Sequence, residues 1–136
     1  MEPKPTVLVV DDEDRFRTTL AKMLAFEGLQ VAAAAGGQEA LKELAARPYD
    51  VVLLDVRMPG MSGVEALREI KKLSPLTEVI VLTGHASLDD ALEIIRLGGF
   101  DYLFKPCPIE DLLAKIESAF EKKQQQERAG KSAPSG

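Results

Sequence analysis

Five short apolar runs rich in β-branched residues recur along the chain: Thr6 to Val10, Gln30 to Ala34, Val51 to Leu54, Glu78 to Leu82 and Asp101 to Phe104. Each is followed by a segment in which apolar residues return at helical spacing. Phe16, Leu20, Met23 and Leu24 share one helical face, as do Leu88, Ala91, Leu92 and Ile95, and likewise Ile109, Leu112, Leu113, Ile116 and Phe120. Weaker stripes run through Leu41 and Leu44, and through Val64, Leu67 and Ile70. This alternation predicts an α/β fold, a doubly wound five-stranded parallel sheet with five flanking helices. The first, third and fourth runs are apolar enough for central strands, and the second and fifth suit the outer positions. The helical stripes are read as core, with no role beyond burial.

Local punctuation agrees with that rhythm. Ser62 with Glu65 forms a capping-box pattern, Ser87 stands before the fourth helix, and Pro108 suits the first turn of the fifth. Gly28 and Gly98 fall where helices should stop. Beyond Phe120 the sequence EKKQQQERAGKSAPSG loses its apolar period. Residues 1–122 are therefore expected to form one domain, and 123–136 a polar, frayed helix end and a flexible tail.

At 136 residues the chain can bury a core without disulfides or structural metal. No apolar run approaches the roughly 20 residues of a membrane-spanning helix, and the N-terminal MEPKPTVLVVDDED lacks a signal-peptide cleavage site. A cytoplasmic location without membrane contact is expected. The single cysteine, Cys107, has no His or Cys nearby in sequence and reads as a bland thiol. The net charge is −5, and no Lys/Arg run supplies the footprint of a nucleic-acid binder. Acid instead clusters at Asp11, Asp12, Glu13 and Asp14.

In a doubly wound sheet, ligands bind outside the carboxyl ends of the strands. The polar residues that close the first, third, fourth and fifth runs are Asp11 with Asp12, Asp55, Thr83 and Lys105. Three carboxylates at one rim repel one another, and a divalent cation relieves that repulsion. All the candidate ligands are hard oxygens, which favours Mg2+ over Zn2+. A metal, a lysine, a hydroxyl and a free carboxylate together can receive a phosphoryl group, with Asp55 attacking in line and Lys105 neutralising the transferred oxygens. Taken singly, Asp11 and Asp12 could be helix N-terminal acids, Asp55 a turn residue and Lys105 a solvated loop lysine. Their joint placement at one sheet edge favours the shared site.

The segments LVVDDED, VVLLDVRMPGMSG, VLTGHAS and GGFDYLFKPC resemble the motifs of the response regulator receiver family over roughly residues 5 to 122. The resemblance implies a flavodoxin-like sheet of strand order 2-1-3-4-5. It also implies dependence on Mg2+ and phosphorylation by a sensor histidine kinase or phosphotransfer protein. Asp55 resembles the acceptor, Asp12 the direct metal ligand, Asp11 a ligand through water, and the carbonyl of Arg57 the remaining protein ligand. Thr83 resembles the switch hydroxyl, Tyr102 the switch aromatic, and Lys105 the phosphate-binding lysine, joined to Pro106 by a cis peptide. Arg57 and His85, two residues after the acceptor and after Thr83, are expected at the mouth of the site, where Arg57 would alter acyl-phosphate lifetime. The face of the fourth helix, fifth strand and fifth helix would meet partners and allows a phosphorylation-dependent homodimer.

Other readings fit less well. A phosphatase of the haloacid dehalogenase type wants a second Asp two positions after its nucleophile, where this chain has Arg57. A flavin binder of the same fold wants a hydroxyl- and glycine-rich phosphate loop after the first strand, where DDED would repel the phosphate. A receiver acting purely as an interaction module is the usual outcome when the acidic pair or lysine is missing, and both are present here.

Overall fold

The computed structural model describes residues 4–132. The chain runs β1 (Thr6–Val10), α1 (Asp14–Phe26), β2 (Gln30–Ala34), α2 (Gly37–Ala46), β3 (Val51–Asp55), α3 (Gly63–Leu73), β4 (Glu78–Thr83), α4 (Leu88–Arg96), β5 (Asp101–Phe104) and α5 (Ile109–Ser132), with a 3-10 turn at His85–Ser87 leading into α4. The strands form one parallel sheet of order β2-β1-β3-β4-β5. This is the doubly wound α/β architecture and strand order expected above.

Strand alternation divides the core in two. Leu8, Val10, Val52, Leu54, Val79 and Val81 point to the layer covered by α2, α3 and α4. Val7, Val9, Val51, Leu53, Ile80 and Leu82 point to the layer covered by α1 and α5. Every residue of β1 after Thr6, of β3 before Asp55 and of all β4 is buried, as strands covered on both faces require.

Two strands run one residue further than the apolar runs suggested. Asp55 pairs with Leu82 and Thr83 with Phe104, so both polar residues are held by the sheet ladder itself. Two helical faces are also rotated from the sequence reading. On α4 the buried residues are Ala91 and Ile94, while Leu92 is exposed. On α1 Leu20 and Leu24 are buried, and Met23 is exposed.

Gly28 and Gly98 take φ of +94° and +120°, the left-handed conformation that ends α1 and α4 at little cost only for glycine. Ser62 caps α3 by accepting the Glu65 N–H at 3.2 Å, and its hydroxyl donates back to the Glu65 carboxylate. Ser87 precedes α4 without a side-chain cap, and the Pro108 carbonyl accepts the first bonds of α5.

At the amino ends of the strands, a polar network ties β1, β3, β4 and α5 together. Asp50 accepts from the Thr6 N–H and hydroxyl, and Lys123 Nζ lies 3.0 Å from it. Glu78, 1% exposed, sits between Lys71 and Lys122. The helix end expected to fray from residue 123 is instead regular helix through Ser132, and Lys123 is buried. Residues 133–136 of the expected tail lie outside the described residues.

Candidate functional site

Sheet register builds the site at the carboxyl edge. The pairing of Val10 with Leu54 carries Asp11 alongside Asp55. The Asp11 N–H bonds the Ala34 carbonyl and the Lys105 N–H bonds the Thr83 carbonyl at 2.8 Å, so the ladders continue one step past β1 and β5. By alternation Asp11, Asp55 and Lys105 fall on the α1/α5 side of the sheet. Thr83, Tyr102 and Phe104 fall on the α4 side.

Asp11 is 1% exposed. Its Oδ1 accepts the Glu13 N–H at 2.9 Å, and its Oδ2 accepts Lys105 Nζ at 2.6 Å. The helix-start role considered for this residue is not what it does, since α1 begins three residues later and its first-turn acid is Asp14. Lys105 Nζ also reaches Asp55 Oδ1 at 3.4 Å and lies 4.3 Å from the centre of the Phe16 ring. Arg17 braces the loop from below, donating to the Asp11 carbonyl at 2.8 Å and to Asp14 at 2.5 Å. The Lys105–Pro106 peptide bond is cis.

Asp11, Asp12 and Asp55 each place a carboxylate oxygen within 4.8 Å of the others'. Asp12 is exposed and Asp55 half-buried, so the cluster opens to solvent on one side. Burial first, and the Asp11 charge second, push the Asp55 carboxyl up from 3.8 to about 6, with Lys105 pulling in the opposite direction. For Lys105, burial disfavours the charge, but the hydrogen bond to Asp11 and the charge of Asp55 outweigh it and raise its pKa. The donor set fits a hard divalent cation. It is all oxygen, it keeps an open side for water, and it holds more negative charge than one ammonium offsets.

Thr83 is buried, and its hydroxyl donates to the Gly84 carbonyl at 2.9 Å. Tyr102 is half-buried against the α4-side core and meets Phe104 edge to face, with ring centres 5.6 Å apart. His85 is exposed and stacks on the other side of this aromatic group, 4.0 Å from Phe104 at 16°. Arg57 is exposed and lines a cavity of about 480 Å3 with Met58, Pro59 and Asp90. Cys107 is half-buried, and its thiol is pushed up by burial and by Asp111. Phe16 and Phe104, counted in the sequence only as apolar residues, and Arg17 are site neighbours that reading missed. An aromatic one turn into the helix that follows the acidic pair was the available signal for Phe16.

A strand-edge acid cluster facing a lysine on a 2-1-3-4-5 sheet defines a class of receiver-like α/β proteins. The family model of the response regulator receiver domain matches residues 7–117, and the chain belongs to that family. It is 41% identical to the DNA-binding transcriptional regulator NtrC of Escherichia coli K12 over 122 residues, covering 90% of this chain and 26% of that protein. The transcriptional regulatory protein ZraR of Escherichia coli O157:H7 is 41% identical over 113 residues, 83% of this chain and 26% of that protein. Among solved structures, a receiver domain protein of Clostridium thermocellum matches with TM-score 0.85 at 37% identity, covering 90% of this chain and 98% of that one. NtrX of Brucella abortus matches with TM-score 0.91 at 30% identity, over 98% of this chain and 31% of that one. The chain therefore spans about a quarter of the length of the curated relatives it matches. It is a receiver domain of a two-component response regulator, similar to those of NtrC and NtrX. Among the described residues, no helix is long and apolar enough to cross a membrane.

Proposed function

We propose that Asp55 accepts a phosphoryl group from a sensor histidine kinase or phosphotransfer protein. The observation that carries this reading is the convergence of three carboxylates, with oxygens within 4.8 Å, on a lysine that reaches two of them. An oxygen of the Asp55 carboxylate forms a bond to phosphorus as the bond from phosphorus to the donor's imidazole nitrogen breaks, and the imidazole leaves with the electron pair. Asp11, Asp12, Asp55 and the Arg57 carbonyl would hold Mg2+, which when bound supplies charge neutralisation to the phosphoryl oxygens. Lys105 supplies fixed positive charge from the opposite wall, and Thr83 a hydroxyl donor.

The switching step follows from the same parts. Thr83 exchanges its bond to the Gly84 carbonyl for one to the phosphoryl oxygen, and the half-buried Tyr102 ring turns toward the space this leaves. Such a shift requires contacts that differ between the two states by a few kcal/mol. The face of α4, β5 and α5 then meets the partner, a second phosphorylated copy included. The exposed Leu92 is apolar surface on α4 that an interface could cover. Arg57 and His85 modulate the lifetime of the acyl phosphate from the mouth. NtrC and ZraR are named as transcriptional regulators, which supports an output of that kind in the cytoplasm. With a net charge of −5, direct DNA contact is not assigned to this domain.

The test is incubation with acetyl phosphate and Mg2+, read by intact mass. The unmodified chain is expected to gain one phosphoryl group and Asp55→Asn none. An equal gain in both would overturn the assignment of the acceptor.

A further inference from the structure

Lys105 has a neighbour that the acceptor chemistry does not account for. Its ammonium stands 4.3 Å from the centre of the Phe16 ring while the same nitrogen reaches Asp11 at 2.6 Å and Asp55 at 3.4 Å. Phe16 lies in the first turn of α1, half-buried against the apolar layer shared by α1 and α5. Packing fixes the ring, and the flexible lysine meets it.

Building on the acceptor reading of Asp55, we propose that Phe16 is a positioning residue for phosphoryl transfer, its ring face holding the Lys105 ammonium at the rim between Asp11 and Asp55. A lysine ammonium carries three donors and no acceptor. A carbonyl or carboxylate at the position of the ring would take one donor in a strong bond and compete with the incoming phosphoryl group. A leucine would fill the volume without attracting the charge. The negative face of an aromatic ring attracts the ammonium without claiming a strong hydrogen bond. It also shields that side from water, which strengthens the field the ammonium exerts toward Asp55. The lysine stem has four torsions to restrain, and the ring limits them on the side where no polar group does.

The experiment uses the full chain with Phe16 replaced by mono-, di- and trifluorophenylalanine. These keep its shape while progressively removing negative charge from the ring face. Acyl-phosphate formation from acetyl phosphate at saturating Mg2+ is followed by intact mass. The rate is expected to fall stepwise with fluorination, by roughly three- to tenfold at the end of the series, the size of a partly desolvated cation–π contact. In a Lys105→Gln background the same series is expected to be flat, a result that a purely structural role for the ring would not produce. A flat series in a chain that does become phosphorylated would overturn the role of Phe16 alone. Absence of any mass gain in the unsubstituted chain would overturn the acceptor reading on which it rests.

Discussion

Asp55 occupies a position whose charge is resisted by its surroundings. Burial and the neighbouring Asp11 raise its carboxyl to about 6 from an ordinary 3.8. The unfolded chain releases this proton near the lower value and the folded chain near the higher. Between them the folded state binds more protons, so stability falls as pH rises, and the cost is complete above about 6. Without metal at pH 7, Asp55→Asn is expected to be more stable than the unmodified chain by about 1–2 kcal/mol, because it removes a charge that burial and Asp11 disfavour while giving up the contact with Lys105. The gain should vanish near pH 4, and urea melts in EDTA at the two pH values measure it. Adding Mg2+ should stabilise the unmodified chain more than the variant. Arg57→Ala is expected to change the dephosphorylation rate of the acyl phosphate, followed by loss of the phosphoryl mass after acetyl phosphate is removed. An unchanged rate would end the role proposed for Arg57. Asp11, Asp12, Asp55, Thr83 and Lys105 stood out in the sequence because they close apolar runs, whereas Tyr102, Arg57 and His85 were reached only through the family motifs. Their contacts were not legible, since the 2.6 Å pair of Lys105 with Asp11 joins positions 94 apart, and no local pattern says which carboxylate a lysine will choose.

At the scale of elements, helix starts were more legible than helix faces. Ser62 and Glu65 announce α3, and the structure supplies the cap. Ser62→Ala is expected to cost about 1 kcal/mol in urea unfolding. Gly63, the next residue, carried no signal in the sequence, yet a Cβ there would sit 2.9 Å from the Val56 carbonyl oxygen and 3.0 Å from Ile94 Cδ1. Gly63→Ala should therefore destabilise by about 1–3 kcal/mol, more than the loss of the cap beside it. This close approach also explains the rotated face of α4. Ile94 fills the space that Gly63 leaves, so Ala91 and Ile94 face inward and Leu92 faces solvent. Periodicity alone could not separate the two faces, because Leu92 and Ile95 satisfy a helical stripe equally well.

For the whole molecule, the strand order and the layering of helices were readable from the alternation of runs and from the family motifs. The extent of α5 was not. Polar composition after Phe120 suggested a frayed end, but Lys123 is buried against Asp50 and pairs with Glu127. Its long stem covers apolar surface while its charge reaches a carboxylate, and a hydropathy pattern cannot reveal such a role. A chain ending after Lys122 is expected to be less stable than one ending after Arg128 by about 1–2 kcal/mol, and comparison of their thermal midpoints measures this. The apolar core on both sides of the sheet should leave each truncated form folded.

The junction of Thr6, Asp50 and Lys123 gives the domain one clamped end and one open end. The lower part of α5 is moored where the strands begin, far from the edge at which Asp55 lies. A displacement of the upper helix would therefore reach its far turns as tilt about a fixed footing rather than as sliding. Whatever the last turns of α5 carry would be swung, like a boom on a mast.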